Sequence, residues 1–111
     1  MERRRFARIE VSMMLRFKTL EQFGEALDGS ACDLSEGGIC INSSRAKPVG
    51  TRVEIELPAS GGQTVSIRGT VRSIRYKNGQ PDKMGIEFDE LQDPALGIIQ
   101  HLVKMQANKD S

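Results

Sequence analysis

The chain of 111 residues has no tryptophan, one tyrosine, four phenylalanines and a single histidine. So few aromatic side chains make a base-stacking surface hard to build, which argues against a small barrel that binds single-stranded nucleic acid. The single histidine, with no nucleophile placed beside a base in the sequence, argues against an enzyme. We therefore expect no catalytic residues.

Cysteine is also scarce, and its spacing is uninformative. Cys32 and Cys40 fit neither a CxxC pattern nor a paired Cys/His pattern, so the sequence indicates neither a zinc site nor a disulfide framework. Because apolar residues flank both, we predict that they are reduced and buried in the core. We expect no metal site and no cofactor.

Long apolar runs and a strong charge of one sign are missing as well. No run approaches the roughly 20 apolar residues of a membrane span, and the arginine-rich start lacks the apolar stretch of a secretory signal. We expect one cytoplasmic domain over residues 1–111, without membrane insertion. The formal net charge is only +1, which argues against a protein that coats long nucleic acid.

The sequence does contain short alternating runs separated by turns. Apolar and polar residues alternate from Ile9 to Lys18, which is the period of a half-buried strand. A weaker run ends near Asp33, and Asn78-Gly79 predicts a hairpin turn because both residues tolerate positive φ. Gly69 and Gly85 fall inside strands, where glycine marks a bend or a close backbone approach. The other predicted strands cover residues 39–42, 53–57, 65–76 and 84–88.

After the last strand the apolar period becomes helical, and it predicts a helix over residues 93–107. Asp93 is the predicted N-cap, with Pro94 at the first helical position. His101 falls off the apolar stripe and is expected to be exposed. Six short strands and one terminal helix predict an all-β fold, a six-stranded antiparallel barrel over residues 9–89 with a C-terminal helix. The stripe consists of Ile98, Ile99, Leu102, Val103 and Met105.

A basic arm precedes the barrel. Residues 1–8 carry four arginines and one acid, Glu2, for a local charge of +3. The planar guanidinium can pair with phosphate or with guanine O6 and N7. The alternative is a solvated basic tail. The arginines are Arg3, Arg4, Arg5 and Arg8.

A second candidate segment reads Asp-Leu-Ser-Glu-Gly-Gly over residues 33–38. The Asp33 carboxylate can accept from the N–H groups of a guanine edge, and the Ser35 hydroxyl can bond phosphate or base. Gly37 and Gly38 allow a ligand to approach the backbone closely. The alternative is an ordinary turn between strands, in which Asp33 and Ser35 bond the backbone and Gly38 supplies a positive φ.

Together the two segments resemble the PilZ domain family, bacterial receptors for cyclic di-GMP. The family's RxxxR motif matches Arg4 and Arg8, with Arg5 following the first arginine, and its DxSxxG motif matches Asp33, Ser35 and Gly38. The order also fits, because the arm precedes the first strand, DxSxxG falls between strands two and three, and a helix follows the last strand. The resemblance covers about residues 2 to 106.

The resemblance implies a receptor rather than an enzyme. In the family, a mobile arm folds over cyclic di-GMP with its arginines on guanines and phosphates, while the DxSxxG motif holds a guanine. Ordering of the arm would relay the ligand level to an unidentified downstream protein. Arg3 resembles an extra family arginine that favours an intercalated ligand dimer. Further candidate ligand contacts are Gly37, Arg72, Arg75 and Tyr76.

One alternative keeps the fold and changes the function. Some family members have lost nucleotide binding and act as protein-interaction adaptors. Degraded motifs are the usual sign of such members, and here both motifs are intact.

Overall fold

A computed structural model of the chain describes residues 9–20 and 26–110. They form the predicted six-stranded antiparallel barrel with a C-terminal helix. The predicted arm, residues 1–8, lies outside the described residues. The elements are β1 (Ile9–Thr19), β2 (Leu27–Leu34), β3 (Gly38–Asn42), β4 (Arg52–Pro58), a short 3-10 turn (Ser60–Gly62), β5 (Thr64–Lys77), β6 (Gln80–Phe88) and α1 (Ala95–Asp110).

The barrel closes in the strand order β1-β2-β3-β6-β5-β4. All neighbouring pairs are antiparallel, and β4 returns to β1 with Arg16 opposite Glu56 and Thr19 opposite Val53. Closure gives each of these strands two hydrogen-bonded neighbours, which removes the exposed edges that would otherwise pair with other chains. The candidate motif at residues 33–38 therefore sits on a sheet that is braced from both sides.

The alternation seen in the sequence decides which side chains fill the barrel. Phe17 and Phe88 are buried, whereas Tyr76 is 65% exposed. Among the described aromatic residues, only Tyr76 thus faces solvent. Side chains that are completely enclosed include Leu34, Ile41, Ile55, Leu57, Met84, Val53 and Val71.

The hairpin between β5 and β6 confirms the predicted Asn78-Gly79 turn. Both residues have positive φ, at 54° and 78°. Lys77 pairs with Gln80, so β6 begins four residues earlier than the predicted start at Met84. The reason is that a two-residue turn pairs its flanking residues at once, whatever their polarity.

The prediction of close backbone approach at a strand glycine is confirmed at Gly69, whereas Gly85 is approached by a side chain. A Cβ on Gly69 would lie 2.5 Å from the carbonyl oxygen of Glu87, and a Cβ on Gly85 would lie 2.5 Å from Ser73 Oγ. The β5–β6 ladder shifts register between Val71 and Ser73. At both positions a side chain would meet the neighbouring strand, so glycine is needed for the close pairing of β5 with β6.

The helix α1 begins later than the sequence predicted. The Ile98 N–H donates to the Pro94 carbonyl at 3.1 Å, so Pro94 holds the N-cap position and the first helical residue is Ala95. The predicted N-cap at Asp93 was one residue too early. The helix ends at Asp110, three residues beyond the predicted end.

One face of α1 packs against β1 and β5. Ile99 is completely buried there, and Ile98, Leu102 and Val103 are partly buried. The prediction that Met105 belongs to the packed stripe was wrong, because Met105 is 56% exposed. It lies beyond Val103, the last described helix residue that packs against the core. His101 is exposed, as predicted. Among the residues that the structure describes, no helix has the length and apolar character needed to cross a membrane.

Candidate functional site

The turn between β2 and β3 is built around Ser35. Its N–H donates to the Gly38 carbonyl at 2.9 Å. Its Oγ accepts from the N–H groups of Gly37 and Gly38 at 3.1 and 3.2 Å. Ser35 is only 9% exposed. The hydroxyl therefore satisfies two backbone donors and holds the turn in shape.

Gly38 is required by close packing. It pairs with Glu87 on β6, and a Cβ at this position would overlap the backbone carbonyl oxygen of Ile86. Its φ is not positive, so the positive φ expected of Gly38 in the ordinary-turn alternative was wrong. The Phe88 N–H donates to the Gly37 carbonyl at 2.9 Å, which fastens the turn to the end of β6.

Asp33 lies on β2 just before this turn. Its Cα partners are Glu10 on β1 and Cys40 on β3. The β2–β3 ladder shifts register between Ala31 and Asp33, and this bulge makes Cys32 the extra residue. Asp33 is half-buried. A carboxylate oxygen of Asp33 and the Sγ atoms of Cys32 and Cys40 all lie within 4.8 Å of one another.

The prediction that the two cysteines are buried in the core was wrong. Both are free thiols of intermediate exposure. Cys40 alternates with the buried Ile39 and Ile41, so its side chain points to the outside of the barrel. The Cys32 thiol donates to the Cys40 carbonyl at 3.4 Å. Partial burial, the hydrogen bond with Cys32 and the nearby carboxylate of Asp33 raise the pKa of the Cys40 thiol to about 12.

A row of residues crosses the barrel beside the turn. Asp33 on β2 pairs with Cys40 on β3, Cys40 with Gly85 on β6, and Gly85 with Ser73 on β5. Gly85 has no side chain, and Ser73 Oγ lies close above it, 2.5 Å from where a Cβ on Gly85 would stand. Cys40 and Ser73 belong to this surface but were not predicted from the sequence as site residues. The available signal was Gly85, a glycine among alternating strand residues.

Of the three predicted contacts on β5, Arg72 lies next to the turn. Its Nη2 and Nε lie 3.2 and 3.3 Å from Glu87 Oε1, and Glu87 pairs with Gly38. Both side chains are more than half exposed. A guanidinium therefore stands at the margin of the motif, paired with a solvated carboxylate that a stronger anion can replace.

Arg75 and Tyr76 lie farther along the same strand. Arg75 pairs with Lys83, which in turn pairs with Asn42, the last residue of β3. Tyr76 pairs with Pro81, beyond the end of β3. The structure thus brings Arg72 beside the DxSxxG turn and places the other two toward the β5–β6 hairpin.

The predicted arm arginines Arg3, Arg4, Arg5 and Arg8 lie outside the described residues, but the point at which the arm joins the barrel is described. Ile9 pairs with Leu34 and Glu10 pairs with Asp33. The first residues of β1 are therefore hydrogen-bonded neighbours of the DxSxxG segment.

Comparisons with solved structures find the same fold. The PilZ domain of YcgR from Escherichia coli, solved with c-di-GMP, superposes with a TM-score of 0.77 at 19% identity, covering 98% of this chain and 95% of that one. The Bacillus subtilis inhibitor of motility MotI/DgrA gives 0.75 at 19% identity, covering 100% and 55%. The c-di-GMP complex of MrkH from K. pneumonia gives 0.74 at 14%, covering 100% and 57%.

The chain thus spans about half the length of MotI/DgrA and of MrkH. A search among curated protein sequences finds no significant match. The family model named PilZ domain matches residues 2–105, nearly the whole chain and both motif segments. The chain therefore belongs to the PilZ domain family.

Proposed function

We propose that this protein is a cyclic di-GMP receptor that holds its ligand between the arm residues Arg4, Arg5 and Arg8 and the surface formed by Asp33, Ser35 and Gly38. PilZ domains generally bind c-di-GMP and are typically non-catalytic receptors. The observation that carries the proposal is the pairing of the first residues of β1 with the end of β2, which puts the root of the arm beside the DxSxxG turn.

Covalent geometry lets the arm reach that surface without any change in the barrel. Arg8 is bonded to Ile9, and Arg4 is five residues before Ile9. A chain spans at most about 3.3–3.6 Å per residue, so the Cα of Arg4 lies within about 18 Å of the Cα of Ile9. All residues of the turn, 34–38, lie within this distance of Ile9, since Ile9 pairs with Leu34.

The chemistry of the two segments matches the two halves of the ligand. Cyclic di-GMP carries two phosphates and two guanines, and guanidinium groups pair with both. The Asp33 carboxylate is an acceptor for guanine N–H groups. Ser35 acts chiefly by shaping the turn, while its hydroxyl proton makes only a long 3.5 Å contact to the Gly38 carbonyl that a ligand acceptor can replace.

Binding has to offset the entropy of ordering the arm. That cost is about 1–2 kcal/mol per residue, whereas a hydrogen bond to a charged group contributes about 1.5–3 kcal/mol. One arginine therefore cannot close the arm alone, and affinity depends on several arginines acting together. Closure of the arm would change the surface that a partner protein meets, and we propose this as the output signal.

Isothermal titration calorimetry with cyclic di-GMP tests the proposal. Arg4→Ala, Arg8→Ala and Asp33→Asn should each weaken binding by about 1–3 kcal/mol, or about 5- to 150-fold. Arg16→Ala and Asp28→Asn are matched controls, because these exposed residues pair with each other at 3.6 Å and are seven and five residues away along β1 and β2 from Ile9 and Asp33. The controls should bind like the wild type.

No heat from the wild-type protein at micromolar concentrations would refute the receptor function and favour the adaptor alternative. Loss of affinity in the controls equal to that in the site variants would refute the assigned location. Amide NMR gives an independent check, since residues 3–8 and 33–38 should shift together on addition of the ligand. A response from only one segment would mean that the two do not form one site.

A further inference from the structure

Three metal-ligating side chains meet on the outer face of β2 and β3. The Sγ atoms of Cys32 and Cys40 and a carboxylate oxygen of Asp33 lie within 4.8 Å of one another. All three residues are of intermediate exposure, so an ion can reach them from solvent. Two of them come from one strand and the third from its neighbour, and the paired backbone holds them together.

The backbone explains why three ligands converge here. In a regular strand, Cys32 and Asp33 would point to opposite faces. The register shift between Ala31 and Asp33 inserts one residue, and such a bulge lets two successive side chains share one side of the sheet. Cys40 then stands directly opposite Asp33.

We propose that Cys32, Cys40 and Asp33 bind a thiophilic divalent cation, Zn²⁺ in the first instance, with water completing a tetrahedral shell. Zinc–sulfur and zinc–oxygen distances of about 2.3 and 2.0–2.2 Å put the ligand atoms of a tetrahedral site about 3.5–3.8 Å apart. Atoms already within 4.8 Å reach that spacing by small side-chain rotations. Sulfur donors favour zinc over magnesium or calcium, which prefer oxygen.

Zinc would bind the two sulfurs as thiolates, and their protons would pass to solvent as the metal binds. The divalent cation would then neutralise the negative charge of its ligands. Lys83 on β6, whose positive charge acts on Cys40, opposes a cation, whereas Glu10 on β1, the Cα partner of Asp33, favours one.

The site would also couple metal to nucleotide. A consequence that rests on the proposed function follows from Asp33, because its carboxylate cannot coordinate a metal and accept from a guanine edge at the same time. Binding of the two would then be mutually exclusive. At a free zinc concentration about ten times its dissociation constant, the apparent affinity for cyclic di-GMP should fall about tenfold.

Cobalt substitution tests the metal site without any nucleotide. The full chain, free of histidine tags and kept reduced with a phosphine, is titrated with Co²⁺ under argon and then with Zn²⁺. We expect one Co²⁺ per chain, visible d–d bands of tetrahedral cobalt and a thiolate-to-cobalt charge-transfer band, all removed by Zn²⁺. Cys32→Ser and Cys40→Ser should each lose charge-transfer intensity, and Asp33→Asn should weaken binding at least tenfold.

Asp28→Asn is the matched control, since it removes an exposed carboxylate from the same strand and should leave the titration unchanged. Melting curves of each variant show that it is folded. Pale octahedral cobalt without charge transfer would overturn the proposal, as would a charge-transfer band of undiminished intensity in Cys40→Ser. One cobalt shared by two chains would overturn a site within one chain.

The effect of zinc on cyclic di-GMP binding is measured separately. If cyclic di-GMP does not bind the metal-free protein, the receptor function fails while the cobalt spectrum still decides the metal site. If cobalt binds as expected and zinc leaves cyclic di-GMP affinity unchanged, exclusion at Asp33 is refuted. A tenfold loss of nucleotide affinity with zinc, abolished in Cys40→Ser, supports it.

Discussion

Replacing Ser35 with alanine tests whether the motif serine holds the turn. In the wild type its hydroxyl accepts two backbone N–H groups, from Gly37 and Gly38, in a residue that is 9% exposed. Alanine leaves both donors without this partner, and water has little access. At about 0.5–1.5 kcal/mol for each neutral hydrogen bond, Ser35→Ala should cost about 1–3 kcal/mol of unfolding free energy.

Urea and thermal unfolding followed by far-UV circular dichroism measure this cost. For a domain of this size, about 1 kcal/mol shifts Tm by roughly 4 °C, so the expected fall is about 4–12 °C. Ser43→Ala is the matched control, because Ser43 Oγ accepts only one N–H, from Arg45 at 3.1 Å, in an exposed loop. Water can replace that bond, and the cost should stay within about 0.5 kcal/mol.

Equal stabilities of the two alanine variants would refute the structural role of the Ser35 hydroxyl. So would a Ser35→Ala protein with wild-type stability and weakened nucleotide binding, since its effect would then lie in the ligand contact alone.

Three further outcomes follow from the structure. Gly38→Ala should lower the unfolding free energy, measured in urea, by about 1–3 kcal/mol, because the Cβ of the alanine would overlap a β6 carbonyl. Gly97→Ala on α1 is the control. The added Cβ makes only ordinary contact there, and the unfolding free energy should rise by up to about 1 kcal/mol. The bidentate bond from Arg52 lowers the pKa of the half-exposed Asp89 carboxyl. Asp89→Asn should therefore lower the unfolding free energy by at most about 1 kcal/mol at neutral pH. The difference in unfolding free energy between this variant and the wild type should shrink as pH falls below about 4. Burial raises the pKa of Cys40 to about 12, so its alkylation by iodoacetamide, measured by mass spectrometry, should speed up about tenfold per unit between roughly pH 7 and 9.

The barrel could be predicted from the sequence because its signals are local. Strand alternation, the Asn78-Gly79 turn and the strand glycine Gly69 act within a few residues, and the structure confirms each of them. The errors arose where a neighbouring element decides the outcome. Hairpin pairing extended β6 back to Gln80, and the end of the packed surface left Met105 in solvent.

The candidate site was only partly predictable for the same reason. The apolar neighbours of Cys32 and Cys40 suggested burial, yet a bulge on β2 and the alternation of β3 turn both toward the outer face. Motif rules for zinc count residues along the chain, whereas these ligands are joined across a strand pair. Likewise, the position of the Arg72–Glu87 pair beside the turn depends on a register shift in the β5–β6 ladder and on the pairing of β3 with β6, neither of which has a sequence signature.

The turn geometry also sharpens what an intact DxSxxG motif can establish. Ser35 and Gly38 are required by the barrel itself, one to satisfy backbone donors and the other to avoid a β6 carbonyl. A PilZ domain that served only as an adaptor would therefore keep both residues for folding. The presence of the serine and the glycine therefore does not distinguish a receptor from an adaptor. Nucleotide binding and unfolding free energy, measured side by side for variants of Asp33 and of the arm arginines, do.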